Sequence, residues 1–213
     1  TEVDVINGAV VKAADETEPD AVYTALQAAL PSNLIVLDKS AAEDKDAVVV
    51  TRETATQLNL RSLDDIGAQC PNMVFGGAPE FQTRPDGIPG LQATYNCTFK
   101  EYRSLDAGGP LTVAALKNGD VQAANLFTTQ STIAANDFVV LEDPKNNFPA
   151  QQVIPIGNTE KLTPEVAEVI DAISAQLTTD ELIAINTRVS GEEKVEPTKA
   201  ATDWLTEKGL LGA

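Results

Sequence analysis

Short apolar runs alternate with stretches of helical spacing along most of this 213-residue chain. The runs at 34–37 and 46–51 are nearly uninterrupted and predict buried strands, and the continuous run at 46–51 suggests burial on both faces of a sheet. Residues 19–30 instead repeat apolar positions at helical spacing behind Pro19, a residue that suits a first helical turn. This alternation predicts an α/β fold with largely parallel sheets.

The pattern becomes wholly helical from Thr163 onwards. Thr163 followed by Pro164 is a helix cap with proline at the first helical position, and apolar residues then recur at helical spacing as far as Leu177. Before this point, the pattern predicts further strands at 2–6, 73–75, 98–102, 121–127 and 138–141.

A turn-rich loop follows the predicted strand at 73–75 and surrounds Arg84. Gly76-Gly77 and Pro85-Asp86-Gly87 are turn sequences, since glycine accepts positive φ, proline fixes φ and aspartate bonds locally. A guanidinium held still by such a loop suits bidentate capture of a carboxylate or phosphate. The alternative is that Arg84 ties down its own loop through backbone carbonyls.

Charge and composition narrow the classes of partner and reaction. The chain has 32 acidic and 15 basic residues, a net charge of -17, which argues against nucleic acid and anionic membrane surfaces as partners. Histidine is absent, which excludes histidine-based catalysis and histidine-ligated metal sites. No motif for a serine–lysine pair, a carboxylate dyad or a calcium loop appears. The sequence therefore predicts no enzyme, metal site or cofactor, and no apolar run is long enough to span a membrane.

Two cysteines, Cys70 and Cys97, each stand just before a predicted strand. If these strands are parallel neighbours, both thiols lie at the same end of the sheet, and a disulfide between them implies an oxidising compartment. The alternative is two reduced, buried thiols in a cytosolic protein. We favour the disulfide because the two positions match.

Long segments in the same order along the chain match one known family. They are GAPEF at 77–81, RPDG at 84–87, PGL at 89–91, ALKNGDV at 115–121, FVVLED at 138–143, NFP at 147–149, LTTDE at 177–181 and WLTEKGLL at 204–211. Together they resemble the glycine betaine/choline (osmoprotectant) substrate-binding proteins of ABC transporters. The resemblance extends over nearly the whole chain.

The resemblance implies a type II periplasmic-binding-protein fold, in which two α/β lobes surround a ligand cleft. Two crossings between the lobes would place residues 1–51 and 155–213 in the first lobe and residues 52–154 in the second. The family opens its first lobe with two βα units, roughly 60 residues at about 30 per unit, before the strand that 2–6 resembles. We therefore expect an incomplete first lobe with an exposed sheet edge. A trimmed chain, a partner fragment or a swapped assembly that covers this lobe would each explain the difference.

The resemblance also implies site residues. Arg84 matches the family's carboxylate-binding arginine. The family's cage of aromatic rings, which holds a trimethylammonium group by cation–π attraction, is largely replaced. A cage tyrosine aligns with Asp46, another cage aromatic aligns with Gln151, and residues 7–12 carry neither aromatic nor hydroxyl where the family has a tyrosine-bearing segment. Phe127 retains one aromatic.

Two further positions, Thr128 and Asp44, complete the expected site. Thr128 follows Phe127 at the end of a predicted strand, and Asp44 and Asp46 could replace the cage by pairing directly with the ligand's cationic group. The alternative is that both acids are solvated loop residues, the commoner situation for loop carboxylates.

The resulting expectation is the substrate-binding component of an ABC importer for a small zwitterionic osmoprotectant, such as glycine betaine, choline or a related solute. Its partners would be that solute and a membrane permease. Its location would be extracellular or periplasmic, with a lipoprotein anchor in the full-length form. The alternative is a degenerate or truncated binding or sensor module whose ligand binding is altered or lost.

Overall fold

The structure, a computed structural model, describes residues 17–211. These residues divide into two compact units, which we call unit 1 and unit 2. Unit 1 comprises the described residues 17–44 and 149–211, and unit 2 comprises 45–148. The predicted strand at 2–6 and the segment 7–12 lie outside the described residues.

The elements of the described residues are helices interspersed with strands up to the last strand, and three helices follow it. In chain order they are α1 (Pro19–Ala29), β1 (Leu34–Val36), β2 (Asp46–Thr51), α2 (Arg52–Leu58), α3 (Leu63–Ile66), β3 (Val74–Gly77), α4 (Ile88–Tyr95), β4 (Glu101–Ser104), α5 (Pro110–Lys117), β5 (Ala123–Phe127), α6 (Ser131–Ala135), β6 (Phe138–Val140), β7 (Ile156–Asn158), α7 (Pro164–Gln176), α8 (Thr179–Ser190) and α9 (Pro197–Glu207). Two short 3-10 turns stand at Cys70–Asn72 and Pro79–Gln82.

Unit 2 is built on a five-stranded sheet in the order β4-β3-β5-β2-β6. β3 runs parallel to β4 and β5, whereas β2 runs antiparallel to both β5 and β6. The expectation of a largely parallel sheet is therefore wrong for the pairings, although every strand except β2 points in one direction. The reason is that β2 inserts between β5 and β6, which share one direction and are joined by α6.

The core of unit 2 lies on both faces of this sheet, as the apolar run at 46–51 predicted. Successive side chains of a strand point to opposite faces, so Val48 and Val50 join a cluster that includes Phe75 and Phe81. Val49 joins the cluster on the other face. β2 is thus a central strand buried on both sides.

Cys70 and Cys97 form a disulfide, with their Cα atoms 5.4 Å apart, which confirms the pairing expected from their positions. β3 and β4 are parallel neighbours, with Val74 opposite Glu101. The segments that enter the two strands therefore meet at one end of the sheet, where both cysteines are fully buried.

Unit 1 contains a two-stranded antiparallel sheet of β1 and β7 together with α1 and the three C-terminal helices. The predicted cap at Thr163 is confirmed, because its hydroxyl accepts a hydrogen bond from the Val166 backbone N–H at the start of α7. α8 and α9 are joined by Trp204, whose indole N–H donates to a Glu181 carboxylate oxygen at 2.7 Å. On α7, Val166 and Val169 are 48% and 56% exposed, although they stand at the spacing of its apolar face.

The units change at different residues from the predicted lobe crossings. We predicted crossings after Thr51 and after Ile154, whereas the units change after Asp44 and after Phe148. β2 belongs to unit 2 because it pairs with β5 over Asp46–Val50 and with β6 over Val49–Thr51. No helix within residues 17–211 has the length and apolar character needed to cross a membrane.

Candidate functional site

One edge of the unit 2 sheet brings together four of the predicted site residues. β3 ends at Gly77 and leads into the Arg84 loop, and β5 ends at Phe127, followed by Thr128. Because β2 runs antiparallel to β5, its first residue, Asp46, lies directly opposite Phe127. In α/β sheets the carboxyl ends of the strands are the usual place for a ligand.

The Arg84 loop is closed by its own backbone. The Arg84 N–H donates to the Glu80 carbonyl at 2.9 Å, and the Gly87 N–H donates to the Arg84 carbonyl at 3.0 Å. Gly87 is required by close approach, since a Cβ there would lie 2.0 Å from the Phe81 carbonyl oxygen. The loop therefore fixes the backbone of Arg84, as its turn sequence predicted.

Gly76 and Gly77 were predicted to form a turn, and this is wrong because both lie within β3. Their lack of a side chain serves packing instead of positive φ. A Cβ on Gly76 would lie 2.9 Å from a Leu105 methyl, and one on Gly77 would lie 2.9 Å from the Tyr102 hydroxyl.

The Arg84 guanidinium contacts two carboxylates and one ring. Its Nη2 donates to Asp46 Oδ2 at 2.5 Å, and its carbon lies 5.1 Å from the centre of the Phe81 ring. Nε lies 2.9 Å from Asp86 Oδ1 without the alignment of a hydrogen bond, so that contact is electrostatic. Within residues 17–211 the guanidinium contacts side chains, and the alternative of backbone carbonyls as its partners is not seen.

Asp46 is buried at the start of β2, so it is not the solvated loop residue that the alternative reading expected. Its Oδ1 accepts a hydrogen bond from Asn125 Nδ2 at 2.8 Å, while Oδ2 faces Arg84. Asn125 was missed by the sequence reasoning. The available signal was a single amide within the otherwise apolar strand Ala123–Phe127.

Phe127 and Thr128 lie at the end of β5, at the same edge of the sheet. The Thr128 N–H donates to the Lys45 carbonyl at 2.9 Å, and its hydroxyl oxygen accepts from the Lys45 N–H at 3.0 Å, which extends the β2–β5 pairing. The Phe127 N–H donates to Gln130 Oε1 at 3.0 Å, and Gln130 Nε2 donates to the Gly108 carbonyl at 2.7 Å. These bonds fix the backbone that carries the partly exposed Phe127 ring.

Asn147 binds the Arg84 loop through hydrogen bonds, and the sequence reasoning missed this residue as well. Its Nδ2 donates to the Asp86 carbonyl at 2.8 Å, and its Oδ1 accepts from the Thr94 hydroxyl at 3.3 Å. Asp143 holds the segment in turn, accepting the Asn147 N–H at 3.0 Å and the Tyr95 hydroxyl. Burial and the bond to Asp143 raise the pKa of Tyr95 well above its usual range.

The pKa of Tyr102 depends on the charged groups near this edge of the sheet. Its hydroxyl donates to the Ala78 carbonyl. Burial, and then the Glu80 carboxylate, raise the pKa of Tyr102 to about 12, while the Arg84 guanidinium acts in the opposite direction. Glu80 and Arg84 therefore both act at this edge of the sheet.

The remaining two predicted site residues belong to unit 1. The Asp44 N–H donates to the Gln151 carbonyl at 3.1 Å, and the neighbouring Glu43 and Gln152 form an antiparallel bridge. Asp44 is exposed and Gln151 is partly exposed. Across residues 17–211, no group of three or more cysteine, aspartate or glutamate side chains is arranged to hold a metal ion.

The family of the chain follows from comparison with known proteins. Residues 3–207 match the OpuAC family, described as the substrate binding domain of the ABC-type glycine betaine transport system. The chain belongs to this family. The resemblance seen in the loop and tail segments is thereby confirmed.

Two relatives illustrate the range of named ligands within this similarity. The glycine-betaine-binding protein of Pseudomonas aeruginosa is 30% identical over 178 residues, covering 78% of this chain and 56% of that protein. The ergothioneine transport permease/ergothioneine binding protein EgtU of Helicobacter pylori is 25% identical over 166 residues, covering 77% of this chain and 30% of that protein. The chain thus spans little more than half of the first relative and less than a third of the second.

Solved structures show the fold. A glycine betaine/carnitine/choline ABC transporter structure matches with a TM-score of 0.82 at 24% identity, covering 98% of this chain and 76% of that one. Apo YehZ from Escherichia coli matches with a TM-score of 0.71 at 23% identity, covering 99% and 78%. These matches confirm the α/β, type II periplasmic-binding-protein fold.

Proposed function

We propose that this chain is the solute-binding part of an ABC importer, that its ligand is a small zwitterion, and that Arg84 receives the ligand's carboxylate. The observation that carries the proposal is that the Arg84 guanidinium is held at one nitrogen and open at another. Nη2 is held by Asp46, yet the side chain is 26% exposed, and Nη1 has no acceptor among the described residues. A fixed guanidinium with one open edge is suited to a planar carboxylate.

The position of Arg84 supports this assignment. The loop leaves the carboxyl end of β3, next to the ends of β5 and β2, where α/β folds commonly bind small ligands. Membership of a family of substrate-binding domains supports a binding role in preference to catalysis.

The proposal extends to a class of solute and not to one compound. The relatives are named for glycine betaine, for carnitine and for ergothioneine, so their names alone do not select a ligand. Asp46 and Gln151 stand where the resemblance expects aromatic rings, which supports a ligand preference different from that for betaine. Asp46, Phe127 and Thr128 would contact the ligand beside Arg84 in unit 2. Asp44 and Gln151 belong to unit 1 and stay candidates through the resemblance alone.

Calorimetric titration of the full-length protein with glycine betaine, carnitine, proline betaine and choline tests the proposal. Arg84→Ala should weaken binding of the carboxylate-bearing solutes by about 10- to 100-fold, because hydrogen bonds to charged groups contribute about 1.5–3 kcal/mol. Choline, which has no carboxylate, should be affected less. Arg103→Ala is the matched control, since Arg103 lies exposed on β4. Equal affinities of the two variants for every carboxylate solute would exclude Arg84 as the carboxylate receptor.

A degenerate module is the second candidate, and one observation favours it. Asp46 already occupies Nη2 of Arg84, so an incoming carboxylate meets a guanidinium that is partly neutralised. A thermal-shift screen separates the two candidates, because a ligand at 100 times its Kd adds about 2.7 kcal/mol to the stability of the folded state. The absence of a shift with every zwitterion tested would favour the degenerate module.

The same proposal includes a location and a covering partner. The disulfide supports an extracellular or periplasmic location. The lipid anchor and the membrane permease are included because the family resemblance implies them. Val166 and Val169 are 48% and 56% exposed and stand three residues apart on α7, which supports an assembly that covers this helix face. Cell fractionation checks the location. A Val169→Asp variant with an unchanged oligomeric state and stability in light scattering and urea unfolding would argue against the covering assembly.

A further inference from the structure

We propose that Asp86 and Asp46 select the charge of the ligand, so that the site accepts a carboxylate accompanied by a cationic group and rejects the same shape without it. This inference rests on the proposed function of Arg84. It adds which residues recognise the cationic end of the solute.

The first argument is the balance of charge around the guanidinium. Arg84 has Asp46 at Nη2 and Asp86 at Nε, so two carboxylates face one cation. Glu80 adds a third carboxylate close enough to act on the Tyr102 hydroxyl together with Arg84. An anionic ligand without a compensating cation would therefore enter a region of excess negative charge.

The second argument is accessibility, which gives the two aspartates different roles. The Asp46 side chain is 3% exposed, and its two oxygens bond to Arg84 and Asn125, so it acts on a ligand through its field. The Asp86 side chain is 18% exposed, and its contact with Nε lacks hydrogen-bond alignment. Asp86 is therefore the carboxylate available to approach a ligand cation beside the guanidinium.

The third argument concerns the aromatic rings at this edge. The Arg84 guanidinium lies over the face of the Phe81 ring, 5.1 Å from its centre, and the ring is itself buried. A ring face covered by a guanidinium is not available to a trimethylammonium group at the same time. Phe127 is partly exposed and gives one ring in place of a cage. Recognition of the cation at this edge therefore falls mainly to the carboxylates.

A pair of isosteric probes isolates this effect. Glycine betaine and 3,3-dimethylbutyrate share a carboxylate and a branched trimethyl end, but the second has a neutral carbon in place of the cationic nitrogen. Titration of the full-length protein should give an affinity for glycine betaine at least about tenfold higher than for the neutral-ended probe, the effect of one close charge pair in a partly solvated site.

The variants assign this ratio to the aspartates. In Asp86→Asn the ratio should fall by about fivefold or more, chiefly through weaker binding of glycine betaine, and Asp46→Asn should act in the same direction. Asp120→Asn, an exposed carboxylate paired with Arg103 in unit 2, is the matched control and should leave the ratio unchanged. Asp86→Asn keeps the test valid if the buried Asp46→Asn variant does not fold.

Each outcome decides between statements. A reduced ratio in Asp86→Asn, with the control unchanged, supports charge selection by this aspartate. A ratio preserved in both aspartate variants would overturn the inference and leave the proposed function standing, since the cation would then be recognised elsewhere. Failure of the wild-type protein to bind any of the zwitterions would overturn the proposed function, and this inference with it.

Discussion

Removal of the Cys70–Cys97 disulfide should lower the free energy of unfolding of unit 2 by about 3.5 kcal/mol. The two cysteines are 27 residues apart, and the chain-entropy relation for a loop of that length gives about 3.5 kcal/mol at 25 °C. Both cysteines are fully buried, so their replacement by alanine adds a smaller packing loss. Reduction of the wild-type protein should therefore cost slightly less than the double substitution.

Urea unfolding followed by far-ultraviolet circular dichroism measures this change. The wild-type protein is compared with and without reductant, and Cys70→Ala/Cys97→Ala is the variant. Addition of reductant to the double variant is the control and should shift nothing. A loss below about 1 kcal/mol on reduction would refute the reasoning, because it would show that the unfolded chain gains little freedom when the loop is opened.

The same perturbation should spare ligand binding. The disulfide stands at the amino end of β3, and the Arg84 loop leaves the carboxyl end of the same strand. The four residues of β3 span about 13 Å at about 3.3 Å per residue. As long as unit 2 remains folded, solute affinity in the reduced protein should stay within about twofold of the oxidised value. Loss of binding before unfolding would indicate that the loop depends on the disulfide.

Two further predictions concern hydrogen bonds and titration in unit 2. The Asp106 carboxylate accepts the backbone N–H groups of Leu111 and Thr112 at 3.0 and 2.9 Å, so Asp106→Ala should lower the unfolding free energy by about 1–2 kcal/mol. Burial alone would raise the pKa of Asp106, but these bonds lower it overall. The contribution of Asp106 to the free energy of unfolding should therefore be present above about pH 4 and be lost as pH falls through its folded pKa. If the free energy of unfolding of Asp106→Ala fell with the same slope in acid as that of the wild type, this prediction would be contradicted. The pKa of Tyr102 is raised to about 12. The contribution of Tyr102 to the free energy of unfolding should therefore be complete below about pH 10 and be lost as pH rises from there to about 12. Stability measured between pH 9 and 12 should accordingly fall less steeply in Tyr102→Phe, and equal slopes would argue against the assignment.

Local sequence determined much of what was predicted correctly. The apolar residues 47–50 make the strand at 46–51 buried on both faces, because none of them has a polar side chain that requires water. The Thr163-Pro164 cap begins α7 where expected, since capping depends on neighbouring backbone groups alone. The Arg84 loop is fixed by Gly87 and the turn around it, again a property of adjacent residues.

Contacts between distant residues were decided only by the tertiary structure. The direction of β2 is set by its insertion between β5 and β6, and Gly76 and Gly77 serve close packing within β3 where a turn was expected. Neither follows from local propensity, because the partners lie far away in sequence.

The candidate site divides in the same way. The sequence by itself singled out Arg84 and the family that its loop resembles, because a long turn sequence around one arginine is a local pattern. The tertiary structure decided that Asp46, 38 residues away, and Asp86 face its guanidinium, and that Asn125 holds Asp46 in place. The physical reason is that the pairing of Arg84 with the buried Asp46 depends on which strand ends meet at one edge of the sheet, and that meeting is fixed by strand order and register.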